Sequence, residues 1–268
     1  MPLVELKNIC FSYNSSSKDE SEFQLRNIHL TIDDGEFISV LGPNGSGKST
    51  LLKVITGLLK PSKGEISLQN NPYRNISRKT LARAIAFVPQ SSLTIFPFSI
   101  YEIVMMGRTP YLNMFGYEKK EDRDRVMEAI ELVDIAHLKD KGINEVSGGE
   151  AQRAFIARAI VQQPKLILLD EPNSHLDIKH QLSVFNLIKK LNADNGLTVL
   201  SVSHDLNLAG FYSSRVILMK QGEILEDDKT ERILTSENIY KVFEVNSEVG
   251  IDKDSQRVNV VIKPGYEK

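Results

Sequence analysis

Hydrophobic and polar positions along this chain follow two rhythms in turn. Short, largely apolar runs at Ile28–Ile32, Phe37–Leu41, Glu65–Leu68 and Ile85–Val88 predict strands, as does the opening stretch Leu3–Phe11, which ends at Tyr13. Helical spacing predicts a helix over Leu51–Leu59. From 91 to 146 the character changes, and helical patterns such as Ile100–Met106 and Asp122–Val133 predict an all-helical insertion. Helix and strand then alternate: helix at 150–162, strand at 166–170, helix at 178–192, strand at 197–202. Alternation of this kind implies parallel strands joined by helical crossovers. The tail from 215 to 262 adds short strands and one helix around Ser236–Phe243, while the polar stretch Asn14–Glu22 reads as a surface loop. The expected class is α/β with a mixed, largely parallel sheet in a single domain spanning 1–268. Within it the helical insertion covers about 91–163 and a C-terminal extension about 221–268.

Composition narrows this little. Of 268 residues, 41% are hydrophobic and 25% charged, enough apolar material for a sizeable core. The 33 basic and 35 acidic side chains leave a formal charge of −2, so no broad basic field points to nucleic acid. A single cysteine, Cys10, excludes an internal disulfide framework, and the five histidines show no zinc-type spacing. Met1–Phe11 lacks the pattern of a signal peptide, and no apolar run approaches the roughly 18 residues that cross a bilayer. The expectation is a cytosolic chain that meets a membrane only through a partner.

Candidate chemistry begins at Gly42-Pro43-Asn44-Gly45-Ser46-Gly47-Lys48-Ser49-Thr50, between a predicted strand and a predicted helix. In that setting GxxxxGK[ST] is the pattern of a phosphate-binding loop and sets the core as a P-loop NTPase; the bland alternative is a glycine-rich turn. Glycines let backbone wrap closely around an anion, and the helix start faces it. Lys48 would reach the terminal phosphates of ATP, and the Ser49 hydroxyl would bind Mg²⁺. A second element is Leu166-Ile-Leu-Leu-Asp170-Glu171, an apolar strand ending in two carboxylates. Ligand crevices lie at the carboxyl ends of parallel strands, so Asp170 would hold Mg²⁺ and Glu171 would orient the attacking water. Surface acids at a strand end are the alternative.

Ser147-Gly148-Gly149-Glu150, followed by Ala151-Gln152-Arg153, resembles the signature of the ABC transporter ATP-binding subunits, departing from its commonest form at Val146 and Glu150. Ser-x-x-Glu is also a capping box, and the two readings are compatible. Two glycines and a free serine hydroxyl at a helix start would clamp a γ-phosphate. The resemblance covers roughly residues 3–220. It implies an N-terminal antiparallel β subdomain and a homodimer that sandwiches two ATP, each signature facing the partner's phosphate loop. It further implies that Tyr13 stacks on adenine, Gln90 touches Mg²⁺ and the water, Asp177 lies on the loop Ser174–Asp177 at the dimer interface, and His204 contacts the γ-phosphate. Tyr13 could instead be a core tyrosine, and Asp177 an N-cap.

Ile85–Gln90 with Tyr101–Leu112, together with Val202-Ser-His-Asp-Leu-Asn-Leu-Ala, is similar to ATPases that import iron–siderophores, haem and cobalamin. That resemblance implies two transmembrane permease subunits, an extracytoplasmic binding protein and a peripheral place on the cytoplasmic membrane face. Zinc, manganese and molybdate importers have similar ATPases and stay open as alternatives. A soluble ABC ATPase, a non-hydrolysing regulatory subunit and an exporter subunit fit less well. The interval from Lys48 to Asp170 holds no sustained heptads, Glu171 and His204 are both present, and no membrane domain is fused.

Overall fold

The computed structural model describes residues 2–13, 24–90, 96–113, 116–172 and 176–264. The chain forms two compact units, Met1–Asn75 with Thr198–Lys268, and Ile76–Leu197. The first opens with β1 (Pro2–Ser12), β2 (Gln24–Asp33), β3 (Phe37–Leu41), α1 (Lys48–Ile55), β4 (Lys63–Leu68) and β5 (Asn71–Pro72). The second holds α2 (Arg78–Ala84), β6 (Ile85–Val88), α3 (Ile100–Met105), α4 (Lys120–Leu132), α5 (Gly148–Ile160), β7 (Leu166–Asp170) and α6 (Ile178–Asn195). The chain then returns to the first unit with β8 (Thr198–Val202), α7 (Leu206–Tyr212), β9 (Arg215–Lys220), β10 (Glu223–Lys229), α8 (Thr230–Ile233), α9 (Ser236–Phe243), β11 (Asn246–Ile251) and β12 (Val258–Lys263).

In the first unit β1 lies antiparallel between β2 and β4, with Leu6 opposite both Leu30 and Ile66. A second set of strands places β3 parallel to both β8 and β9, and β10 returns antiparallel beside β9. β3 and β8 are buried along their whole length, which explains why they read as apolar runs rather than alternating patterns. The hairpin β11–β12 packs onto a separate cluster formed by Ala209, Leu218, Ile233, Leu234, Ile239 and Val242. Cys10 sits half-buried in β1.

In the second unit β6 and β7 are parallel, with Val88 opposite Leu169. Helices α3, α4 and α5 pack against one another. Gly107 lets the chain after α3 approach α5 closely, since a Cβ there would lie 2.2 Å from the Arg158 carbonyl oxygen. Arg108 is buried, donating from Nε to Asp122 Oδ1 at 2.9 Å and from Nη1 to the Val161 carbonyl at 3.0 Å, with its guanidinium 3.8 Å from the Tyr111 ring centroid. No helix among the described residues is long and apolar enough to cross a membrane.

Several elements differ from expectation: β2 extends back to Gln24 and β4 to Lys63, and the tail carries α8 besides the one helix expected there. The helix expected over Leu51–Leu59 starts at Lys48 and stops at Ile55, because Gly57 turns left-handed and Leu58 is exposed. Helix α2 was not expected: it buries no residue and rests on the Ser77 cap, whose hydroxyl accepts from Thr80 N–H. Helix α7 is likewise unannounced, a short helix started by Asp205. The stretch Asn14–Glu22 and residues Ser174 and His175 lie outside the described residues.

Candidate functional site

Two groups of candidate residues share the first unit. The phosphate loop leaves the carboxyl end of β3, and His204 follows the carboxyl end of its parallel neighbour β8. Gly42 is required by close packing: a Cβ would lie 2.2 Å from the Met219 carbonyl oxygen and 2.8 Å from Ser46 Oγ. Gly45 (φ +79°) and Gly47 (φ +104°) carry the left-handed backbone that folds Pro43-Asn44 back, with Ser46 N–H donating to the Pro43 carbonyl at 3.2 Å. Gly47 caps α1 and provides no side-chain bond to it. Lys48 is 6% exposed and donates to the Gly42 and Pro43 carbonyls at 2.8 and 3.0 Å, so its ammonium lies within the loop's own ring. Ser46 Oγ is buried without a partner, an orphan that a phosphate oxygen would satisfy.

Tyr13 is 57% exposed, which removes the core-tyrosine alternative. Its hydroxyl lies 3.2 Å from Thr50 Oγ1 in the first turn of α1, and its ring meets Phe11 edge-on. These contacts fix the exposed tyrosine beside the first turn of α1. His204 is exposed between Ser203, whose N–H donates to the Val40 carbonyl at 3.1 Å, and Asp205, the cap of α7.

The second unit holds the carboxylates. Asp170 ends β7, 5% exposed, and Glu171 follows at φ +47°. Gln90, two residues past β6, donates from Nε2 to Glu171 Oε2 at 2.7 Å. The adjacent parallel strands therefore bring together two residues separated by 81 positions. Glu171 thus leaves the strand in left-handed backbone, a strain of the kind found at functional sites.

Ser147 caps α5 in a complete capping box: its Oγ accepts from Glu150 N–H at 3.3 Å, while Glu150 Oε2 accepts from the Ser147 N–H and hydroxyl at 2.8 Å each. The hydroxyl expected to be free is engaged with Glu150, because the glutamate at this position reaches back to it. These bonds hold the Glu150 carboxyl below its usual range. A Cβ on Gly148 would meet open space, whereas one on Gly149 would lie 3.2 Å from the His180 ring. Sequence reasoning missed His180. Its N–H and Nδ1 each bond Asp177 Oδ1 at 2.8 Å, so Asp177 is the N-cap of α6 and at the same time fixes a ring against the signature glycine. The Asp-x-x-His spacing at a helix start was the available signal. Both His180 bonds lower the Asp177 carboxyl.

By donor type, Ser49 in the first unit and Gln90 and Asp170 in the second each fit Mg²⁺, since each offers oxygen, the preferred ligand of a hard cation that keeps several waters; no cluster of three or more His, Cys, Asp or Glu exists among the described residues.

A left-handed glycine loop on a parallel strand, a buried lysine and a helix start define a phosphate-binding cassette of the P-loop class. Comparison with known proteins makes this specific. The ABC transporter family description matches residues 25–174. FepC of Escherichia coli, a ferric enterobactin transport ATP-binding protein, is 36% identical over 217 residues, 81% of this chain and 80% of that protein. HmuV of Hahella chejuensis, a hemin import ATP-binding protein, is 39% identical over 246 residues, 89% of this chain and 93% of its own. An uncharacterised relative, YvrA of Bacillus subtilis, is 37% identical over 90% of this chain, which spans 54% of that longer protein. A structure described as a metal-chelate type ABC transporter, inward-facing, superposes with TM-score 0.85 at 30% identity over 98% of both chains. A dimeric ATP-binding cassette bound to ADP and phosphate superposes with TM-score 0.72 at 34% identity, covering 85% of this chain and 98% of that one. The chain belongs to the ABC transporter family and is one of its ATPase cassettes.

Proposed function

We propose that this chain drives an importer of iron chelates, haem or cobalamin, working as a homodimer on two transmembrane permease subunits supplied by an extracytoplasmic binding protein. The observation that carries this is the end-to-end likeness to the metal-chelate type transporter, which takes in the C-terminal hairpin as well as the nucleotide motifs. FepC and HmuV, with their siderophore and hemin names, support the same cargo class. Docked on a permease, the chain would be peripheral on the cytoplasmic face of the membrane.

The chemistry follows from residues already placed. Lys48 and the loop N–H groups balance charge on the terminal phosphates, and the exposed Tyr13 supports adenine. Glu171, its carboxylate fixed by Gln90, orients and polarises the attacking water, and His204 contacts the γ-phosphate. Ser49, Gln90 and Asp170 would hold Mg²⁺, which supplies charge neutralisation at the phosphates. Ser147, Gly148, Gly149 and Glu150 at the head of α5 complete the nucleotide site of the partner subunit, and Asp177 lies at that interface. ATP-driven closure is the gating step and hydrolysis resets it.

The test is uptake of labelled ferric siderophore, haem and cobalamin by a strain lacking the gene, complemented with the wild-type chain or with Glu171→Gln. Loss of one cargo, restored by the wild type alone, supports import and names the class. Normal uptake of all three refutes this cargo assignment and moves it towards zinc, manganese or molybdate.

A further inference from the structure

His204 sits in the middle of a three-residue bridge, Ser203–Asp205, between β8 and α7, and α7 has only seven residues. Helices of that length are not stable alone, so the placement of α7 depends on what it packs against. That support comes chiefly from β12. Gly210 allows the contact, since a Cβ there would lie 2.6 Å from the Val258 carbonyl oxygen. Ala209 joins Val258 and Val260 in one buried cluster.

One side chain fixes the register between helix and hairpin. Asn207 donates from Nδ2 to the Val260 carbonyl at 3.1 Å and accepts from the Val260 N–H at 2.8 Å, so its amide acts as a further strand on the edge of β12. The Asn207 N–H in turn donates to Asp205 Oδ1 at 2.9 Å, and the Asp205 N–H to Ser203 Oγ at 3.0 Å. Ser203 N–H closes the series on the Val40 carbonyl at 3.1 Å, at the end of the strand that feeds the phosphate loop. A continuous chain of hydrogen bonds therefore brackets His204, from the C-terminal hairpin at one end to β3 at the other.

We propose that Asn207 is a positioning residue for His204, and that the β11–β12 hairpin is the anchor through which it acts. This rests on the reading that His204 contacts the γ-phosphate. The hairpin sets the hydrolytic rate and leaves nucleotide affinity alone, because Lys48, the loop glycines and Tyr13 are held by other bonds.

Steady-state hydrolysis and ATP titration on the full chain test this with Asn207→Ala, Val260→Pro, His204→Ala and the double variant Asn207→Ala/His204→Ala. Asn207→Ala should lower kcat about five- to tenfold at unchanged KM and unchanged ATP affinity. Val260→Pro deletes the N–H that Asn207 accepts without changing any residue of α7, and should reproduce the effect. In the His204→Ala background Asn207→Ala should cost nothing further, since the residue it positions is gone. Wild-type kcat for Asn207→Ala, or an equal loss with and without His204, overturns the positioning role. A wild-type rate for His204→Ala refutes the reading of His204 itself, and the positioning role with it.

Discussion

At Glu171 stability and chemistry should separate under substitution. The residue sits at φ +47° immediately after β7. A side chain bearing a Cβ costs roughly 1–2 kcal/mol in that region, whereas glycine has no such penalty. Glycine loses about 0.4–1 kcal/mol of the advantage because its unfolded chain is freer. Glu171→Gly and Glu171→Ala both delete the 2.7 Å bond from Gln90, so that loss cancels between them. The remainder makes the glycine variant the more stable by about 1 kcal/mol. At an ordinary helix or strand position the order is the reverse, alanine being better by roughly 0.5–1 kcal/mol. Thermal or urea melts read the difference, expected as about 2–4 °C in Tm for a chain of this size. Hydrolysis should fall by about 10²–10⁴ in both variants alike, since neither carries a carboxylate. An alanine variant at least as stable as the glycine variant would refute left-handed strain at this position. Wild-type turnover in either would remove Glu171 from its role towards water.

Lys48→Ala should weaken ATP binding by at least about tenfold in a calorimetric titration, because a buried ammonium at the loop has no substitute; undiminished affinity would contradict its role at the phosphates. Gly107→Ala drives a Cβ to 2.2 Å from the Arg158 carbonyl and 2.5 Å from Val161 Cγ1, so thermal melts should show a loss of about 1–3 kcal/mol. At Asp122 burial alone would raise the carboxyl, but the Lys119 N–H and the Arg108 guanidinium outweigh it and hold it below the usual range. Its contribution is then complete above about pH 4 and lost as pH falls through the lowered value. The stability gap between wild type and Asp122→Asn should accordingly narrow in acid; a gap independent of pH would count against the ion pair.

Strands were the most legible part of the chain. β3, β6 and β7 fall where their apolar runs predict, because strands buried on both faces need uninterrupted apolar sequence. Helices held by caps rather than by a buried stripe were not legible. Helix α2 presents Arg78-Lys79-Thr80 and buries nothing, so the hydroxyl of Ser77 was its main signal. The start of α1 was misplaced for a related reason, since Lys48, Ser49 and Thr50 are polar yet already helical. Of the candidate site, the order of motifs was readable, and their mutual bonds were not. Nothing in the spacing of Gln90 and Glu171 announces a contact; it follows only once β6 and β7 are known to be neighbours. The engagement of Ser147 with Glu150 was readable as a capping box, and the structure adds that the hydroxyl both donates and accepts within it.

One design recurs at each strand end that carries a candidate residue. β3 hands over to the glycine loop, β8 to His204, β6 to Gln90 and β7 to Asp170 and Glu171. The strands are stiff and buried, so packing fixes the backbone from which these polar groups project, and bonds such as that from Gln90 to Glu171 add to it. Local conformation then aims each group: left-handed glycines in the loop, a left-handed glutamate after β7, and a capped short helix after His204. The first two devices are internal to their segments. The third borrows its rigidity from the β11–β12 hairpin through Asn207, which gives the C-terminal tail a direct stake in the hydrolytic machinery. On that logic, substitutions in the hairpin belong with rate variants, and those in the loop with affinity variants, even though both lie in the same unit of the fold.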